Sequence, residues 1–541
     1  MHRFFKFSCI ILAILIVSAL AVPLLVPVDR MKEPVLTRIE AATGRKVSMS
    51  KISLSLFPML AFKAQDVKIG NPDWAGGGDM AVMDALDIGV ELMPLLHGEL
   101  RLKKLTLDKP VLTLVKQGTQ ANWQLDGAAP QKPSKPDSAH RPGNGFFLGN
   151  VSIKNGTAVY KDMSANTVTT LTDINLTLTA TDAATKATLD GSATINGNKI
   201  ALTLTLANPL GASRGELSDA ELTFTSGPLT FTWKGTLSGL NTVPSLTGNV
   251  TIPQLDMREV AGDKEKTSPT TSAAPASNGH WSDAPINWSV FSRADANLTI
   301  TIDKLILPKT TLENIVLDVG LANGSLHLST HTIAAYGGTI TATLSADSTG
   351  EVSMQASAAG VQAAPLLQDF AHMDKLSGTL AGAIAVNSHG ASERNLIANL
   401  AGTGDFHLKD GEYKGRNILA MARGITSAFT QASEESTRFS TLSGSYVIKT
   451  GIVSNSDLKL ISPLLNAGGA GNVDLPNWQV HYVLKPELVA TIPIRIDGPP
   501  DNPSYRPDLQ AAISENLKDP KKLRENAKRL FNKNTLQGLL R

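Results

Sequence analysis

Residues 200–206 read Ile200-Ala201-Leu202-Thr203-Leu204-Thr205-Leu206, an alternation with a period of two. Successive side chains of a strand point to opposite faces, so Ile200, Leu202, Leu204 and Leu206 line one face and Ala201, Thr203 and Thr205 the other. The pattern is already present upstream, where Ile174, Leu176 and Leu178 alternate with Asn175 and Thr177. It continues downstream in Leu222-Thr223-Phe224-Thr225, in Leu229-Thr230-Phe231-Thr232-Trp233 and in Val250-Thr251-Ile252. One apolar face and one wet face mark antiparallel sheet covered on one side. The expected fold is therefore mainly β: an elongated, curved antiparallel sheet, open as a groove or closed as a sandwich, with a few short helices.

Outward from this middle β region, residues 146–261, two tracts break the pattern. Residues 128–145 (AAPQKPSKPDSAHRPGNG) lack any large apolar side chain and read as a flexible linker; residues 262–280, rich in Ser, Thr, Ala and Pro, read as a second. After the first, Val151-Ser152-Ile153-Lys154 runs into Asn155-Gly156, a hairpin signal. Beyond the second, residues 281–509 alternate through further strands, with a turn at Tyr336-Gly337-Gly338, a helical segment over 364–372 and an amphipathic helix over 416–431. Residues 29–127 open with a helical pattern that Gly44 stops, then turn to strands.

Both ends differ in kind. Residues 7–28 carry no formal charge, and Phe7, Ile10, Ile11, Leu12, Ile14, Leu15, Ile16, Val17 and Leu20 sit in a run long enough to cross a hydrocarbon core of about 30 Å. Ala19-Leu20-Ala21 also resembles a signal-peptide cleavage site, but the apolar run continues through Val28, past the usual length of such a peptide. Residues 1–28 are read as a cytoplasmic tip and an uncleaved anchor. Residues 510–541 read as a basic amphipathic helix, which suits either a membrane surface or packing on the last sheet.

Composition narrows the functional classes. The 541-residue chain has a formal net charge of +2, too little for a nucleic-acid footprint. Its one cysteine, Cys9, permits neither an internal disulfide nor a cysteine metal cluster. No nucleophile elbow, phosphate loop, zinc-protease helix or dinucleotide fingerprint is present. His327 and His331 are four residues apart but without a ligand set, and Asp108, Asp405 and Asp410 stand beside Pro or Gly, where Asp serves turns. The chain is expected not to be an enzyme and to need no cofactor or metal.

Several motifs carry a family resemblance. In order, they are Ser55-Leu56-Phe57-Pro58, Val67-Lys68-Ile69-Gly70-Asn71-Pro72, Met93-Pro94-Leu95-Leu96-His97-Gly98, Leu107-Asp108-Lys109-Pro110-Val111-Leu112-Thr113-Leu114, and Asn122-Trp123. Their order and spacing resemble the opening of the AsmA family of bacterial envelope proteins. Leu400 to Phe406 and Ile492 to Gly498 are similar to that family's C-terminal region. Met93 directly before the Pro of the middle motif, and Gly118 one residue farther from Asn122, are departures.

The resemblance implies an inner-membrane anchor, with the bulk of the chain in the periplasm as a β-groove, like the TamB group and, more distantly, bridge-like lipid transfer proteins. It implies support of outer-membrane assembly by sheltered passage of phospholipid. The partners expected are the inner membrane, phospholipid and an outer-membrane or periplasmic protein, with no nucleic acid. The alternative is a scaffold that influences outer-membrane protein insertion without carrying lipid. Candidate groove residues are Ile174, Leu176, Leu178, Ile200, Leu202, Leu204 and Leu206; a methylene buried there contributes about 0.8 kcal/mol, so acyl chains need no specific polar contact. A glycan-active enzyme would need paired carboxylates in a cleft, and the sequence offers none.

Overall fold

The computed structural model describes residues 32–33, 36–37, 40, 44–55, 60–91, 102–118, 120–124, 148–164, 167–180, 184–259, 280–371, 373–415, 418–422, 436–463, 465–487 and 492–508. The expected anchor over 1–28, the linker over 128–145, the second linker except residue 280, the motif beginning at Met93 and the basic helix over 510–541 lie outside them. Among the described residues no helix is long and apolar enough to cross a membrane. The protein is mainly β and falls into two compact units, Met1–Asn241 and Thr242–Arg541.

In the first unit Val47–Ser48 and Lys51–Ser55 pair with Leu60–Gly70, which pairs with Asp79–Val90. Next come Leu102–Asp108 and Val111–Gln117, both beside Leu148–Asp162. Thr167–Ala180, Ala187–Ile195, Asn198–Leu206, Ser218–Ser226 and Leu229–Ser238 then follow as an antiparallel meander. Asn196 (φ 50°) and Gly197 (φ 84°) close the central hairpin, a left-handed pair that matches strand twist.

The sheet is mixed, which corrects the all-antiparallel expectation. Leu102–Asp108 and Val111–Gln117 each run parallel to Leu148–Asp162. In the second unit Ser245–Ile252 and Leu255–Asp256 run parallel to Asp295–Ile306. Parallel pairing requires a crossover of a dozen or more residues. The two Pro- and Ser-rich tracts fall between the strands so paired.

Asn155-Gly156 also differs from its expected hairpin. Both residues lie inside one strand, Leu148–Asp162, at a register shift, with Asn155 at φ 50°. Here the strand passes from one neighbour to the next: Lys109 N donates to Lys154 O at 2.8 Å and Thr157 N to Pro110 O at 2.7 Å. A residue tolerant of positive φ serves a bulge as well as a turn.

The second unit continues from Asp295–Ile306 through Thr311–Ala322, Ser325–Thr330, Gly338–Asp347, Glu351–Gln362, Leu376–His389, Ala401–Tyr413, Thr437–Lys449, Ile452–Ile461, Ala467–Asp474, Gln479–Pro486, Ile494–Gly498 and Ser504–Pro507, each antiparallel to the next. Tyr336 (φ 51°) and Gly337 (φ 81°) turn Ile333–Ala335 into Gly338–Asp347, as expected. The helix Ala363–Ala371 matches its sequence signal, and Ile418–Ala422 is the described part of the amphipathic segment. Short helices Pro209–Ser213 and Glu393–Ala398 are capped by Asn208 and Ser392, whose side chains accept from Gly211 N and Asn395 N.

Candidate functional site

Strand register converts the alternation into continuous rows. In the first unit Leu54 lies opposite Phe62, Phe62 opposite Ile88, Ile88 opposite Leu105 and Leu105 beside Val151. The row runs on through Leu178, Leu189, Leu204, Leu222 and Trp233. A second row beside it holds Ile52, Ala64, Leu86, Leu107, Ile153, Leu176, Gly191, Leu202, Phe224 and Phe231. Ile200 pairs with Ala193, Ile174 with Gly156, and Leu206 lies between Ala187 and Ala220. All seven residues predicted for a groove therefore share one face.

That face is only partly covered. Leu206 is buried, and the other six are half-buried. None belongs to the unit's buried cluster, in which Leu36, Val47, Met49, Ala64, Val67, Ala81 and Met83 pack at the start of the sheet, with Leu86 and Leu107 against them. The apolar face is thus buried near Leu36 and again at Leu206, Ala220 and Trp233, and half-buried at Leu178, Leu189, Leu204 and Leu222.

The reverse face is polar along the same register: Ser53, Lys63, Asp87, Thr106, Ser152, Thr177, Asp190, Thr203, Thr223 and Thr232. Cross-strand contacts organise it. Thr203 Oγ1 donates to Asp190 Oδ1 at 2.9 Å, and Lys234 Nζ lies 3.0 Å from Glu221 Oε1. A sheet with faces this unlike packs apolar groups on one side and meets water on the other.

The second unit repeats the arrangement. Leu298, Val319, Leu328, Leu344, Met354, Val386, Gly402, Ile448, Val453, Val473 and Val480 follow one another across its strands. Two buried clusters cover parts of this sheet, one around Ile302, Ile315 and Val361 and one around Leu408, Met421, Phe439 and Ile494. Glycines on the apolar face seat rings: a Cβ on Gly404 would collide with the Tyr446 ring. Burial pushes the Tyr446 hydroxyl above its ordinary pKa, with Asp405 adding to the shift.

Sequence reasoning missed Leu189 and the second unit's row. Their signal was weak because Gly191, Ala193, Gly402 and Gly404 interrupt the large apolar residues. It also missed that Asp318 Oδ2 stands 2.8 Å from His331 Nε2. The hydrogen bonds from His331 and Thr299 hold the Asp318 carboxyl below the usual range. Asp410, at φ 49°, lies at a register shift against Leu376–His389. No group of three or more His, Cys, Asp or Glu side chains that could hold a metal occurs among the described residues.

Two of the motifs meet in space. The fully buried Asn122 accepts from Val115 N at 2.9 Å through Oδ1 and donates from Nδ2 to Thr113 O at 2.7 Å and to Asn71 Oδ1 at 2.8 Å. Arg45 Nη2 donates to Asn122 O at 3.2 Å and Gln124 O at 2.8 Å.

Comparison with known families gives a match to the model of the AsmA family over residues 1–230 and 235–458. No curated protein and no solved structure matches the chain.

Proposed function

The chain belongs to the AsmA family of bacterial envelope proteins, and from that premise we propose that it supports outer-membrane assembly by sheltering phospholipid acyl chains on the apolar faces of its sheets. In this reading residues 7–28 anchor the chain in the inner membrane and the β units lie in the periplasm. The lipid moves along the rows without covalent chemistry, and an outer-membrane or periplasmic partner completes the path. The observation that carries the proposal is the row Leu178, Leu189, Leu204, Leu222, half-buried and outside the buried cluster of its unit.

The energetics favour a slippery path. Each methylene removed from water contributes about 0.8 kcal/mol, and the contribution is the same wherever along the row it is buried. Interchangeable Leu, Ile and Val side chains therefore hold a chain without trapping it. The hydroxyl-rich reverse face keeps the other side of the sheet in water.

Lipids that copurify with the full chain, identified by mass spectrometry, test the proposal against Leu204→Asp. Phospholipid near one equivalent or more in the wild type, depleted in a variant of unchanged circular dichroism, is the expected result. Equal trace lipid in both proteins supports the scaffold reading instead.

A further inference from the structure

The motif residues Asn71 and Asn122 have no place in the apolar face, yet each is followed by a tryptophan at the same end of the first unit. Asn71 opens the turn that holds the short helix Asp73–Ala75, closed by its own N–H to Gly78 O at 3.2 Å; Trp74 stands on that helix with 37% of its surface exposed. Trp123 follows Asn122 directly, is 41% exposed, and lies with its ring 6.1 Å from that of Tyr160. The 2.8 Å bond between the two asparagines clamps the two turns together. Close by, the loop that joins Leu148–Asp162 to Thr167–Ala180 starts with Met163, which is 61% exposed and donates from its backbone N–H to Lys116 O at 2.9 Å.

The chain enters the sheet at this same end. Val47 pairs with Ile69, and Gly70 N donates to Lys46 O at 2.8 Å. Only residues 29–43 separate Gly44 from the uncharged apolar run over 7–28. Even fully extended, at about 3.4 Å per residue, they tether this end within about 50 Å of whatever holds that run.

We propose that Trp74 and Trp123, with Met163, form a seat on the surface of the membrane in which residues 7–28 are anchored. The inference rests on the anchored reading above. Tryptophan prefers the boundary between headgroups and acyl chains, where one end of the indole is apolar and the other wet. Charge does not choose the lipid: Arg45, Lys46 and Lys68 are matched by Glu40, Asp73 and Asp79 around the cleft that Trp74 also lines. The occupant is a bilayer surface recognised by its interfacial zone.

The test uses the full chain in vesicles of phosphatidylethanolamine and phosphatidylglycerol whose acyl chains are brominated near the headgroup. Bromine quenches tryptophan at that depth, and the run over 7–28 contains no tryptophan of its own. Wild type, Trp74→Phe, Trp123→Phe and the double variant are compared after flotation. The expected result is that all four float, that bromine quenches the wild type most, and that the double variant is quenched least. Equal fractional quenching in floating wild type and double variant overturns the seat while leaving the anchor intact. Failure to float overturns the anchored reading, and the seat with it.

Discussion

Asn122 and Asn71 are 51 residues apart in sequence and joined by a part-buried side-chain hydrogen bond of 2.8 Å where two strand ends and two tryptophan-bearing turns converge. Asn122 is the more constrained of the pair, because its amide also satisfies Val115 N and Thr113 O. Its replacement by Ala takes from Val115 N and Thr113 O a partner that was itself fully buried. An unsatisfied buried donor or acceptor costs about 1–3 kcal/mol. Asn122→Ala should therefore lower the unfolding free energy of the first unit by that amount, seen as a lower urea midpoint at unchanged slope, and an unchanged midpoint would show that the corner has little structural weight.

The half-buried rows and the closed clusters should respond differently to charge. Ile315 is 4% exposed inside the cluster of the second unit. Leu204 is half-buried outside any cluster. Ile315→Asp is expected to destabilise by several kcal/mol, since its carboxylate would lose water without a partner. Leu204→Asp should cost about 1 kcal/mol, since its carboxylate can reach solvent. Thermal melts of the two variants decide this, and equal losses would mean that the Leu204 face is a closed core.

Glycines on the sheet should divide by what stands over them. A Cβ on Gly404 would run into the Tyr446 ring, whereas one on Gly191 would meet Leu202 Cγ at an ordinary 3.5 Å. Gly404→Ala should destabilise by about 1–3 kcal/mol, and adding Tyr446→Ala should recover part of the loss, a non-additive pair. Gly191→Ala should be neutral or stabilise by about 0.5 kcal/mol through the unfolded chain. A destabilised Gly191→Ala would show that the space beside Leu202 is occupied.

Acid should weaken the second unit through Asp457. The backbone N–H of Ser445 (2.9 Å), its hydroxyl (2.8 Å) and Asn455 Nδ2 (2.8 Å) donate to that carboxylate and hold its pKa below the usual carboxylate range. A lowered folded-state value gives stability that is present above the unfolded value of about 3.9 and is lost as pH falls through the folded value. The melting-temperature difference between wild type and Asp457→Asn should thus be largest near neutral pH and shrink in acid. A difference independent of pH would remove Asp457 from the account.

Much of this was legible in the sequence, for physical reasons. Alternation in 200–206 fixes which side chains share a face, because one slip in register would move Leu202 and Leu204 into water together. The turn at Tyr336-Gly337 needed positive φ and was sited by it. Asn155-Gly156 shows the limit: the same conformational tolerance makes a bulge when two neighbouring strands must share one long strand. Parallel pairing was hidden because local alternation is indifferent to strand direction. The Asn71–Asn122 contact was hidden because only the folded sheet brings the two motifs together.

The central claim is that the face of Leu204, and not the face of Thr203, carries acyl chains. A photo-crosslinking amino acid placed at 204 or at 203 in the full chain, activated in cells and followed by phospholipid released on digestion, tests it most directly. The account predicts crosslinked phospholipid from position 204 and background from position 203, adjacent in sequence but opposite in face. Equal labelling at both positions, or none at 204 in folded protein, would contradict it.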